Sequence, residues 1–435
     1  MPVNRLNNNP GKGLAITVIC VLLASCSGTE NEDSMFQVST SESSQEIDGA
    51  AENEESYTLN STVVDLENTF NYANQPIPAY IQKDNTGTNV ITDAGAALGR
   101  VLFYDKTLSS NDSVSCASCH QQSLGFSDSI VASVGVSGTT GRHSMRLVNT
   151  RFSNETQFFW DERANSLEEQ VSQPIRDHVE MGFSGTDGAP TVDDLLIKLS
   201  DTTYYSELFT QAFGNSVITE ERMQLALAQF IRSIQSFDSR YDEGFALVRN
   251  PNSDFPNFTA EENEGKRLFT ERGNFDPATG QRQAGGGLGC NACHRAPEFD
   301  IDENSRNNGI ISVIGNVLET DITNTRSPTL RNLFDTDGAE NGPFMHDGSL
   351  SDFDAVLDHY NDITVDPEQN SNLDPRLTVG AGPGNRNASG QKLLLVDSER
   401  RAITAFLKTL SGQAVYTDPR WSDPFTDNGN LVLSQ

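Results

Sequence analysis

The chain has 435 residues, and its 61 acidic against 30 basic residues give a formal charge of −31. So acidic a surface repels nucleic acid and anionic lipid, which excludes both as partners of the folded part, and attracts a small basic redox protein. Salt would weaken that attraction.

The chain opens with a leader over residues 1–25. Arg5 and Lys12 precede the apolar run Leu14–Ala24, which is too short to span a bilayer and fits a signal-peptide core. Leu23-Ala-Ser-Cys26 closes the run and resembles the lipobox of bacterial lipoproteins, whose cysteine is acylated. An ordinary signal peptide with a chance cysteine is the plainer alternative. The lipobox reading places the protein in the periplasm on a lipid anchor at Cys26, and Ser27 points to the outer membrane. Residues 26–60 are rich in Ser, Glu, Asp and Asn and bury too little to order themselves, so they read as a tether.

The remainder divides into 61–248 and 249–425, separated by the loop-forming stretch Asn250–Pro256. Each half runs through the same order. Gly99-Arg-Val-Leu-Phe103 and Gly265-Lys-Arg-Leu-Phe269 look like the ends of amphipathic helices. Each leads through a polar loop to a Cys-x-x-Cys-His motif. A helical pattern closes each half, from Met223 to Phe237 and from Ile403 to Leu410. The expected fold class is mainly α, as two cytochrome c-like domains. Ile310–Ile314 could add at most a small hairpin.

Two cysteine pairs followed by histidine carry the chemistry: Cys116, Cys119 and His120, then Cys290, Cys293 and His294. A zinc site needs four ligands in one place, whereas these motifs lie on separate halves. A redox pair has no need of a histidine after it in both copies. In an exported chain the spacing points to c-type haem, with two thioethers on the porphyrin edge and the histidine on the iron. Cys20 leaves with the leader, so no disulfide framework remains.

Further motifs, in order, are Leu98–Asp105, Gly125-Phe-Ser-Asp128, Phe158–Ala164, Ser166–Gln170, Glu180-Met-Gly182, Ser327–Asn332 and Pro343–Gly348. Over residues 62–420 the chain resembles the bacterial dihaem cytochrome c peroxidase family, which includes the MauG-like enzymes. The resemblance implies that the haem on Cys116, Cys119 and His120 is the peroxidatic one. It also makes Glu180 the distal acid-base residue, puts Gln170 and Pro174 in the same pocket, and sets Trp160 between the two haems. The haem on Cys290, Cys293 and His294 would be the electron-entry site. Read alone, Glu180 is a surface residue opening a turn, and Trp160 is core packing beside Phe158 and Phe159.

The chain departs from the family pattern in three places. The loop Ser133–Gly141 holds no histidine where peroxidases of the family keep one that seals the resting haem. His143 and His178 are the nearest candidates, each readable as a hydrogen-bonded structural histidine, and the simplest consequence is an open haem that needs no reductive activation. Fourteen residues beyond His346, where many members place a methionine ligand, stands Tyr360, as in MauG-like members. Tyr360 also completes an apolar helical face with Phe353, Val356 and Leu357, and His359 and Met345 compete with it as metal ligands. Calcium, which the family holds between its domains through an asparagine, is left open because His143 takes that position.

Together these readings imply an enzyme that reduces hydrogen peroxide with electrons from a small cytochrome c or similar donor. The alternatives are a MauG-like oxidase acting on a partner protein and a non-catalytic dihaem electron carrier. Homodimerisation is left open.

Overall fold

The computed structural model describes residues 63–154, 156–380 and 388–434. The leader, the tether and Cys26 lie outside the described residues. Eleven helices are found among those described: α1 Asp93–Tyr104, α2 Cys116–Cys119, α3 Leu167–Arg176, α4 Val192–Ser200, α5 Thr203–Phe213, α6 Glu220–Ser233, α7 Arg240–Val248, α8 Ala260–Thr270, α9 Phe353–Asn361, α10 Asp397–Lys408 and α11 Ala414–Thr417. Three two-stranded pairings complete it: β1 Val63–Asp65 runs parallel to β6 Val432–Ser434, while β2 His294–Arg295 with β3 Asp300–Ile301 and β4 Thr378–Val379 with β5 Ser389–Gly390 are antiparallel. No described helix is long and apolar enough to cross a membrane.

Two glycines explain the main helix crossings. A Cβ on Gly99 of α1 would lie 2.0 Å from the Ala226 carbonyl oxygen of α6, and one on Gly265 of α8 would lie 1.9 Å from that of Ala402 on α10. Only a residue without a side chain lets the backbones approach so closely. One turn further on, Phe103 meets Phe230 at 5.2 Å between ring centroids, and Phe269 meets Phe406 at 5.4 Å. Phe299, after the second histidine, closes an aromatic triangle with Phe269 and Phe406, and Phe126, after the first, meets Phe103 at 6.1 Å. The two halves therefore repeat one packing unit.

Each unit has its own hydrophobic core. The first runs from Val64 to Ile234 in sequence, and the second from Tyr241 to Leu410. Val415 and Trp421, beyond the second closing helix, are buried in the first core. A buried ion pair fastens the second core to the N-terminal segment. Arg331 donates to both Asp242 carboxylate oxygens at 2.8 and 2.9 Å, and the Tyr80 hydroxyl donates to the same carboxylate at 2.6 Å.

The first closing helix ends at Ser233, short of the Phe237 that the apolar pattern suggested. Asn149 accounts for the early stop. Its N–H bonds to the Ile234 carbonyl and its side chain bonds to both the N–H and the carbonyl of Ser236, which holds the chain extended. At Ile310–Ile314 no regular strand forms. A single bridge joins Val313 to Asn316.

Candidate active site

The cysteine motifs open onto two cavities. Cys116, Cys119 and His120 line one of about 610 Å³, and Cys290, Cys293 and His294 line one of about 210 Å³. The first motif lies on the short helix α2, where the Ser118 hydroxyl accepts from the Ser115 N–H at 3.0 Å, and both cysteines and the following histidine line the one cavity. His120 Nδ1 lies 3.3 Å from the Phe126 carbonyl oxygen, which fixes the ring.

Glu180 enters the first cavity with Gln170 and Pro174 of α3. Pro174 has no N–H to give the Gln170 carbonyl, so α3 is loosened where it faces the cavity. The histidine-free loop packs directly behind Glu180. Val136 N–H donates to the Glu180 carbonyl at 3.0 Å, and Ser137 N–H to that of Val179 at 3.2 Å. A Cβ on Gly135 would lie 2.1 Å from the Val179 carbonyl oxygen. Burial, with the Asp177 carboxylate adding to it, pushes the Glu180 carboxyl up to about 7, against the opposing pull of Arg163. A carboxyl so placed can both take and give a proton near neutral pH.

Trp160 lines both cavities and is 9% exposed. A tight turn from Phe158 to Ala164 presents it, with Phe159 and Glu162 at positive φ. Its Nε1 donates to the His143 carbonyl at 2.7 Å, and its own carbonyl accepts from Arg326 N–H at 2.8 Å. His143 also borders both cavities, and its Nδ1 sits 2.9 Å from the Ile130 carbonyl oxygen. His178 is exposed beside Ser184 and does not line the cavity.

In the second cavity Phe353, Val356, Leu357 and Tyr360 form one wall on α9. The apolar face and the candidate ligand are thus the same surface. Burial keeps the Tyr360 hydroxyl protonated well above the ordinary range, next to the two cysteines. His359 turns away, its Nε2 2.9 Å from the Asn308 carbonyl oxygen. Met345 lines the cavity, and its sulfur accepts from the Asn308 side chain at 3.3 Å.

Sequence reasoning missed two residues of this region. His346 borders the first cavity, buried, with neither ring nitrogen hydrogen-bonded among the described residues and Nε2 3.8 Å from Asp321 Oδ2. Its place in the Pro-Phe-Met-His motif was a signal that could have marked it. Arg146 is buried and lines the second cavity, and nothing local in the sequence marks that burial.

The residues fit c-type haem. Every cysteine of the two motifs is a free thiol, and burial pushes them up, Cys116 and Cys290 to about 12 and Cys119 and Cys293 to about 11. Burial pushes His120 and His294 down to about 4, leaving neutral imidazoles with a lone pair for iron. His294 Nδ1 has no hydrogen-bond partner among the described residues. Among those residues, no three His, Cys, Asp or Glu side chains converge as a metal cage. His143 spends its Nδ1 on the Ile130 carbonyl.

Comparison with known proteins agrees with this geometry. The family model for di-haem cytochrome c peroxidase matches residues 93–247. The methylamine utilization protein MauG of Methylorubrum extorquens is 32% identical over 337 residues, covering 75% of this chain and 80% of that one. The cytochrome c551 peroxidase of Nitrosomonas europaea is 27% identical over 329 residues, covering 73% of this chain and 80% of that one. Among solved structures, a MauG-like protein associated with microbial copper homeostasis superposes with a TM-score of 0.60 at 26% identity, covering 81% of this chain and 99% of that one. The chain belongs to the dihaem cytochrome c peroxidase and MauG-like family. It is a haem oxidoreductase of the peroxidase type, and its cofactor is c-type haem.

Proposed function

We propose that the protein is a cytochrome c peroxidase built of two cytochrome c-like modules, 61–248 and 249–425, each holding one covalent haem. The observation that carries this reading is Glu180, a half-buried carboxyl raised to about 7 in the cavity of Cys116, Cys119 and His120. When bound, the haems supply the iron at which peroxide is reduced and the iron through which electrons arrive. Glu180 takes a proton from one peroxide oxygen and returns it to the other as the O–O bond breaks. Two electrons, one from each of two reduced donor molecules, and two protons from solvent turn one peroxide into two waters. Trp160, wedged between the cavities, offers the electrons an aromatic bridge. Arg163 and Asp177 set the charge around Glu180.

The test is peroxide-dependent oxidation of reduced cytochrome c by the protein as isolated. No turnover with both haems present would sink this reading. A MauG-like oxidase acting on a partner protein is the second reading, favoured by Tyr360 in the wall of the second cavity. We further propose, from the sequence of the leader, a periplasmic protein anchored through acylated Cys26, which mass spectrometry of the membrane-extracted protein would test.

A further inference from the structure

Arg146 is a buried cation without an anion among the described residues. It is 5% exposed, its Nη2 donates to the Asn341 carbonyl at 3.1 Å, and its Nε has no hydrogen-bond partner among the described residues. Other buried arginines are neutralised, Arg331 by Asp242 and Arg232 by Glu168. Among the described residues no carboxylate does this for Arg146, and a guanidinium left so in a poorly polarisable interior is strongly disfavoured. The side chain lines the cavity of Cys290, Cys293 and Tyr360, which Trp160 also borders. The other arginines of that cavity are differently placed, since Arg376 is held by Asp374 and Asp302 and Arg306 is exposed.

We infer that Arg146 is the counter-ion and positioning residue for a propionate carboxylate of the haem carried by Cys290 and Cys293. The two cysteines consume the vinyl edge, so the propionates are the anions this cofactor brings into the cavity, and a guanidinium pairs with a carboxylate through two parallel hydrogen bonds. The inference rests on the reading that each motif carries a haem. Its consequence is for electron entry. A neutralised propionate favours the reduced iron, and an uncompensated one favours the oxidised iron, so Arg146 sets the driving force from the second haem toward Trp160.

Haem content is counted first, by intact mass and pyridine haemochrome of the wild type. A missing second haem would overturn the underlying reading and this inference with it. Spectroelectrochemical titration of Arg146→Gln then reads both haems separately. The expected result is a tenfold shift of the second haem toward the ferric form at fixed potential, about 59 mV for a one-electron couple, with the first haem unmoved. Unchanged titration of the second haem, or a shift confined to the first, overturns the assignment. Arg146→Lys keeps the charge and loses the fork. It should hold the wild-type potential yet move the propionate-bending band in resonance Raman, and an unmoved band overturns the proposal even where Arg146→Gln does not accumulate.

Discussion

Val136 and Glu180 are joined main chain to main chain, the N–H of one donating to the carbonyl of the other at 3.0 Å. The loop that lacks a sealing histidine thus has a task of its own. It fixes the turn from which the Glu180 carboxyl enters the first cavity.

Glu180→Gln should keep the shape of this turn and remove proton transfer, lowering peroxide turnover by roughly a hundred- to ten-thousandfold. Haem content and peroxide-free spectra should stay unchanged. Stopped-flow mixing with peroxide checks this, and a variant that turns over at the wild-type rate rules Glu180 out as the acid-base group.

The same carboxyl sets a pH limb. With its value raised to about 7, it is protonated in acid and cannot accept the first proton. The rate constant for reaction with peroxide should rise with pH through about 7 and then level. Glu180→Gln should flatten that limb, as a pH series on both proteins would reveal.

Gly135→Ala offers a mechanical test of the loop. The added methyl would meet the Val179 carbonyl oxygen at 2.1 Å, so the two segments must part and the carboxyl must shift. Turnover should fall tenfold or more while the haem-to-protein ratio holds. Equal rates in the variant and the parent would show that the loop does not position the site.

Tyr360→Phe separates ligand from wall. It preserves the apolar face of α9 and removes the phenolic oxygen. Electron paramagnetic resonance of the ferric protein should lose its low-spin signal from the second haem. An unaltered signal would leave Tyr360 as wall only.

The Arg331–Asp242 pair governs stability. Asp242→Ala strands a fully buried guanidinium and should cost about 3–5 kcal/mol in denaturant unfolding. The guanidinium and its hydrogen bonds hold the Asp242 carboxyl below its ordinary 3.8. This contribution is therefore complete above pH 3.8 and is lost as pH falls through the lower folded value. Wild type and variant should converge in acid.

Much of the fold was legible in sequence. Gly99 and Gly265, each four residues before a phenylalanine and upstream of a cysteine motif, already marked a repeated helix leading to the cysteines, whereas the close crossing each glycine permits emerges only in the fold. The grouping of Gln170, Pro174 and Glu180 with the first cysteine pair came from the family resemblance, because the residues alone read as surface and turn. Other features depend on long-range packing. Trp421 buries in the first core from beyond the second closing helix, and α6 stops at Ser233 because of Asn149, far upstream. His346 and Arg146 matter because, among the described residues, the ring nitrogens of the one and Nε of the other are buried without a hydrogen-bond partner, and a one-dimensional pattern does not display that.

The parallel pairing of β1 with β6 brings Val63 beside Val432. The path between them is thus nearly a ring, and its two ends could be sewn together by a short flexible linker. New ends opened in the Asn250–Pro256 loop would then exchange the order of the halves while leaving both helix crossings and the Trp160 wedge in place. The order in which a ribosome delivers the two halves is, for this architecture, a separable choice from how they sit together.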